Sequence, residues 1–116
     1  MKTLTSHLCG VFQCSFEELP EAIRQNRTRV IDLLQKLPLL TGHSGVHLPI
    51  KCDSVTRRGP RDLFARGGQL GVTVEQLFFT LHEKEVKSAH LPCISVYYAD
   101  IEAEGYYPIE LTFVDL

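Results

Sequence analysis

Four tyrosines stand in two pairs, Tyr97 with Tyr98 and Tyr106 with Tyr107, on either side of an acidic run of Asp100, Glu102 and Glu104. An aromatic face stacks on a flat ligand or packs in a core, and the residue types alone allow both. Arg57, Arg58, Arg61 and Arg66 crowd one Gly-containing segment. Such a cluster meets phosphates or forms a solvated basic loop. His43 and His47 have a spacing found among zinc ligands, but no cysteine or acidic residue stands at a matching distance, so no metal site is expected. Cys9, Cys14, Cys52 and Cys93 form no Cys-x-x-Cys pair and read as free thiols. No Ser/His/Asp order, paired catalytic carboxylates or phosphate loop emerges. The expectation is a domain with no catalytic residue and no cofactor.

These groups sit on a chain of 116 residues, enough for one domain spanning 1–116 that needs no metal or disulfide staple. The net charge of −2 argues against a general nucleic-acid coat, but the charge is divided unevenly. Residues 1–70 carry 10 Lys/Arg against 6 Asp/Glu, and residues 71–116 carry 2 against 8. No apolar run is long enough to cross a bilayer, so no membrane partner is expected. The first residues, with one Lys and polar side chains within the apolar stretch, make a poor secretory signal, which favours a reducing, intracellular setting.

The elements that must position these residues follow from periodicity. Thr5–Gln13 reads as a helix. Ser15-Phe-Glu-Glu is a capping box, and Pro20 suits the first turn of the helix it opens. Ile23, Val30, Leu33, Leu34 and Leu37 then give one apolar stripe over a single helix ended by Pro38. From Leu39, glycines and β-branched residues predict two or three short strands. The segment from Gly59 to Gly71 predicts a loop or irregular hairpin. Thr73-Val-Glu-Gln is a second capping box, opening a helix with Val74, Leu77, Phe78 and Leu81 on one face. Strands return at Pro92–Tyr98 and at Tyr106–Leu116. In the last strand Ile109, Leu111 and Phe113 alternate with Glu110, Thr112 and Val114, predicting one buried and one mostly polar face. Helices followed by strands with one interrupting helix give an α+β domain.

Three stretches in order, Cys52–Arg58 (CDSVTRR), Thr73–Phe78 (TVEQLF) and His90–Val96 (HLPCISV), followed by Tyr106–Leu111 (YYPIEL), resemble the PAZ domain of Argonaute/Piwi proteins. The resemblance covers nearly the whole chain. It implies a small OB-like β-barrel with N-terminal helices and an inserted hairpin-helix module, belonging to a larger protein. It also implies a cleft between module and barrel that anchors the 3′ end of a single-stranded small guide RNA, in RNA interference and gene silencing. The partners it implies are that RNA and the other domains of the parent protein.

Carried over residue by residue, Phe64 matches the phenylalanine of the inserted hairpin that walls the pocket. Leu77 and His82 fall where Argonautes carry two phosphate-binding tyrosines. His82 keeps a donor and Leu77 does not, and Leu81 replaces a lysine. Tyr107 aligns with a pocket-lining leucine and Tyr106 with the aromatic beside it. Neighbours on a strand face opposite ways, so Tyr107 is expected in the cleft. Lys51, Arg57 and Arg58 match basic residues on the strand's path, and His43 or His47 matches a pocket histidine. The departures at Leu77, Leu81 and the acidic run leave an alternative: a PAZ fold with a degenerate pocket, serving as a structural or protein-interaction domain.

Overall fold

The computed structural model describes residues 1–65, 71–98 and 103–116. Arg66, Asp100 and Glu102 of the sequence reading lie outside the described residues. Helix α1 (Leu4–Phe12) begins where the Thr3 hydroxyl accepts from Ser6 N, and it ends at Gln13 in the left-handed region at φ 52°. The Ser15 box forms reciprocally: Ser15 N donates to Glu18 Oε1 at 2.9 Å and Glu18 N to Ser15 Oγ at 3.2 Å. It closes a turn rather than the helix itself, and α2 (Leu19–Gln25) starts just beyond, with Pro20 in its first turn.

The single long helix expected from Glu21 to Leu37 is two. Asn26 (φ −118°, ψ 32°) ends α2 and its carbonyl begins α3 (Arg27–Lys36), accepting from Val30 N. The Asn26 side chain competes with the backbone, donating Nδ2–H to Ala22 O at 2.8 Å, which suits an interruption better than a helix interior. Ile23, Val30 and Leu34 are still buried, because α2 and α3 lean on the same core.

Six antiparallel strands form one sheet in the order β1-β6-β2-β3-β4-β5. They are β1 (Lys2–Thr3), β2 (Leu39–Leu40), β3 (Pro49–Val55), β4 (Cys93–Tyr98), β5 (Ala103–Pro108) and β6 (Phe113–Val114). With the four α-helices among the described residues this is an α+β fold. β4 is buried on both faces from Cys93 to Val96, explaining its unbroken apolar run. A register shift between Cys52 and Ser54 bulges β3 against β4.

The expected final strand is broken as well. Ile109–Leu111 form a 3-10 turn, stitched by Thr112 Oγ1 donating to Pro108 O at 2.9 Å and Thr112 N to Ile109 O at 3.1 Å. The turn resets the alternation, so Thr112 and Val114 are buried and Phe113 is only half-buried. Ile109 and Leu111 are buried as expected.

Between β3 and β4 the chain makes an excursion that leaves and returns at one point. Thr56 N donates to Cys93 O, Cys93 N donates back to Thr56 Oγ1, and that hydroxyl donates to Arg58 O. Gly59 passes so close to Ala89 that a Cβ there would fall onto the Ala89 carbonyl oxygen. Only glycine lets the outgoing and returning backbones touch. No helix among the described residues is long and apolar enough to cross a membrane.

Candidate functional site

The excursion contains helix α4 (Val74–His82), which Thr73 starts with a full capping box: Gln76 N donates to Thr73 Oγ1 and Thr73 N to Gln76 Oε1. Leu63–Ala65 pairs with Val72–Val74 through Ala65 N to Val72 O at 2.8 Å and Val74 N to Leu63 O at 2.9 Å, a short hairpin with Phe64 opposite Thr73. Glu75 N donates to Pro60 O, and Arg61 pairs with Glu75 at 3.2 Å. On the return, both carboxylate oxygens of Glu110 accept backbone N–H groups, from Lys87 at 2.7 Å and Ser88 at 2.6 Å. Val74 and Phe78 are buried and Leu77 is half-buried. Leu81, expected on the same face, is 62% exposed, since α4 lies against the sheet along a narrower stripe than the spacing suggested.

Opposite α4, the loop 41–48 is closed on itself. Thr41 N donates to Leu48 O and Leu48 N to Thr41 Oγ1, both at 2.9 Å, and His47 Nδ1 lies 2.7 Å from Thr41 O. The His47 ring meets the edge of Phe113 at 5.3 Å. Its position is accounted for by holding the loop. Gly42 passes over Leu111 and Phe113, where a Cβ would overlap the Leu111 carbonyl oxygen and the Phe113 ring. That close passage delivers His43 to α4.

At the junction four rings meet. His43 stacks on His82 with centroids 4.1 Å apart and planes inclined 38°, and it lies 5.6 Å from Phe78 and 5.7 Å from Tyr107. Phe78 meets Tyr107 edge-on at 5.2 Å and His82 at 5.4 Å. Tyr107 is 0% exposed. Its hydroxyl accepts from Gly42 N at 2.7 Å and lies 3.0 Å from His43 Nδ1, while Leu111 O is at 3.5 Å. Leu111 is too distant for a strong acceptor. We therefore assign the tyrosine proton to His43 Nδ1, which places the imidazole proton on Nε2. Burial, and then the charge of His82, hold the His43 pKa below its ordinary value, which favours the uncharged His43 ring. Burial likewise pushes the Tyr107 hydroxyl well up, keeping it neutral.

Of the residues singled out in the sequence, His43, His82 and Tyr107 come together here. Tyr107 is the floor of the junction rather than an open wall, and His82 is its exposed rim. Phe64 is 59% exposed on the hairpin. Leu77 sits one residue before Phe78 and supplies no polar atom. Tyr106 takes the other face of β5, half-buried opposite Ser95. Lys51 is exposed on β3 opposite Tyr97. Arg57 and Arg58 lie beyond the end of β3 in a bend, so strand alternation does not divide them, and both are exposed. Phe78 and Gly42 were missed. Phe78 was read as core because its helical spacing fits core, and Gly42 carried only the generic signal of a turn.

No family model matches the chain, and no curated protein matches it in sequence. Among solved structures, it is similar to the Drosophila Argonaute 2 PAZ domain, in work on the structural basis for 3′ end recognition of nucleic acids by that domain. The TM-score is 0.58 at 15% identity, covering 80% of this chain and 76% of that one. At that identity the likeness carries the architecture alone, and the chain has a PAZ-like fold.

Proposed function

We propose that this chain is an RNA-binding module that anchors the 3′ end of a single-stranded small RNA where the α4 module meets the sheet. The observation that carries the reading is the stacked His43–His82 pair, resting on Phe78 and Tyr107 at the seam of a PAZ-like fold. A terminus is recognised by shape and by its last phosphates, not by base edges, so the site needs flat surfaces and a few donors. Phe64 offers an exposed aromatic face, and base stacking is worth ~1–3 kcal/mol. His82, exposed beside His43, offers an imidazole N–H donor for a phosphate. The terminal 2′-hydroxyl gives a contact that DNA lacks. In the silencing setting that the resemblance implies, the module would hold the guide strand and perform no chemistry.

A second reading, a protein-contact surface on the same fold, is favoured by the exposure of Phe79 and Leu81 on α4, at 65% and 62%. Fluorescence anisotropy separates the two. A short RNA with a free 3′ end should bind at least tenfold more tightly than the same RNA with a bulky 3′ block, and Phe64→Ala together with His82→Ala should erase that ratio. Equal affinity for free and blocked ends would remove end recognition, and absence of binding at micromolar concentration would favour the protein-contact surface.

A further inference from the structure

A second basic feature lies away from the four-ring junction. Where α2 gives way to α3, the chain faces the end of β3 and the start of β4 across a cleft of about 290 Å³. Its apolar lining includes Pro20, Val55 and Pro92, and its charged lining is Arg24, Arg27 and Arg57 against one acid, Glu21. A shallower depression shares these three arginines and adds Arg29. The helix break at Asn26 turns the α2 and α3 arginines toward one region, and the bend after β3 brings Arg57 to meet them.

The charge here is largely uncompensated. Arg24 is held by Glu21 at 2.6 Å, but among the described residues Arg27, Arg29 and Arg57 make no ion pair. Arg27 is anchored by donating to Val55 O at 2.7 Å and Ser54 Oγ at 3.3 Å, while its Nε is buried without a partner. Anchored this way, the Arg27 guanidinium is a cation fixed in the cleft wall with no ion pair among the described residues. Guanidinium groups match phosphate oxygens in pairs. The apolar lining gives a sugar or base somewhere to rest, and the volume is at the small end of ligand sites, near the size of one nucleotide.

We infer that this cleft is a phosphate-binding site for one nucleotide unit, separate from the junction of the four rings. The phosphate belongs either to a nucleic-acid strand or to a free nucleotide. The inference does not rest on 3′-end recognition, and the test keeps the two apart. The ¹⁵N-labelled chain is titrated separately with a 3′-blocked pentanucleotide RNA, adenosine monophosphate and inorganic phosphate, following backbone amides by NMR.

The expected result is movement of the Val55–Gly59 and Asn26–Thr28 amides, with those around His82 unmoved. Movement with the RNA alone identifies a strand as the source, and movement with the mononucleotide or phosphate identifies a free phosphate. Arg24→Gln with Arg57→Gln should weaken binding at least fivefold. For the RNA it should also flatten the dependence of log K on log salt by about 1.4, at roughly 0.7 per phosphate contact. Glu21→Gln, which frees Arg24, should tighten binding about twofold. Amides that stay still with all three probes at millimolar concentration, or an affinity indifferent to the arginine substitutions, would overturn the assignment.

Discussion

The two polar regions of this molecule are built on opposite principles. At the seam of α4 and the sheet, two imidazoles, a phenylalanine and a wholly buried tyrosine are packed ring against ring. In the cleft beside α2 and α3, guanidinium groups surround an open space, and only one of them is neutralised by a carboxylate. Removing a ring at the first region leaves a hole in the structure. Removing a charge at the second leaves the fold as it was. A region built of packed rings is part of the core, whereas one built of exposed charges needs only to be held near it.

Tyr107→Ala gives the largest contrast. It removes the largest fully buried side chain and strands Gly42 N, so chemical denaturation should show a loss of about 3–5 kcal/mol. Arg24→Gln with Arg57→Gln should change stability by no more than about 0.5 kcal/mol per site, as expected for exposed positions. Equal costs at the two regions would break the comparison. Gly42→Ala comes next. The added methyl has to displace the Leu111 backbone and the Phe113 ring, for a loss of about 1–3 kcal/mol by the same measurement.

Much of what these substitutions probe was hidden in the sequence, for reasons that can be named. Both capping boxes were legible because they are local: three residues of spacing fix two reciprocal hydrogen bonds. The break at Asn26 was not legible, since the apolar stripe runs straight across it and only a side-chain bond to Ala22 O marks the interruption. The 3-10 turn at Ile109–Leu111 was obscured by an alternating pattern that suits a strand equally well. For the candidate site, the sequence left His43 and His47 undecided. What separates them is Gly42 slipping between Leu111 and Phe113, a contact made across some seventy residues of chain.

The smallest effect is also the sharpest, because it has opposite signs in two measurements. His43 titrates below its ordinary 6.5, so below that pH the unfolded chain takes up the proton before the folded one does. Denaturation midpoints should therefore decline as pH falls from about 6.5, with that stability fully present above it. A phosphate beside His43 favours its protonated ring, so affinity for a free RNA 3′ end should rise severalfold from pH 7.5 to 5.5. His43→Gln should flatten both trends. The arginine cleft, with guanidinium groups charged throughout, should retain its affinity for a 3′-blocked RNA over the same range. A rise with acid at both regions would erase the distinction between them.

The contact of Gly59 with Ala89 has a consequence for how such a chain can change over time. Because the excursion departs and comes home through a single doorway, the strands on either side need not know what lies between. Its contents can be lengthened, shortened or exchanged as a cassette while β3 and β4 remain zipped. A lineage can thus remodel this excursion without renegotiating the sheet that carries it.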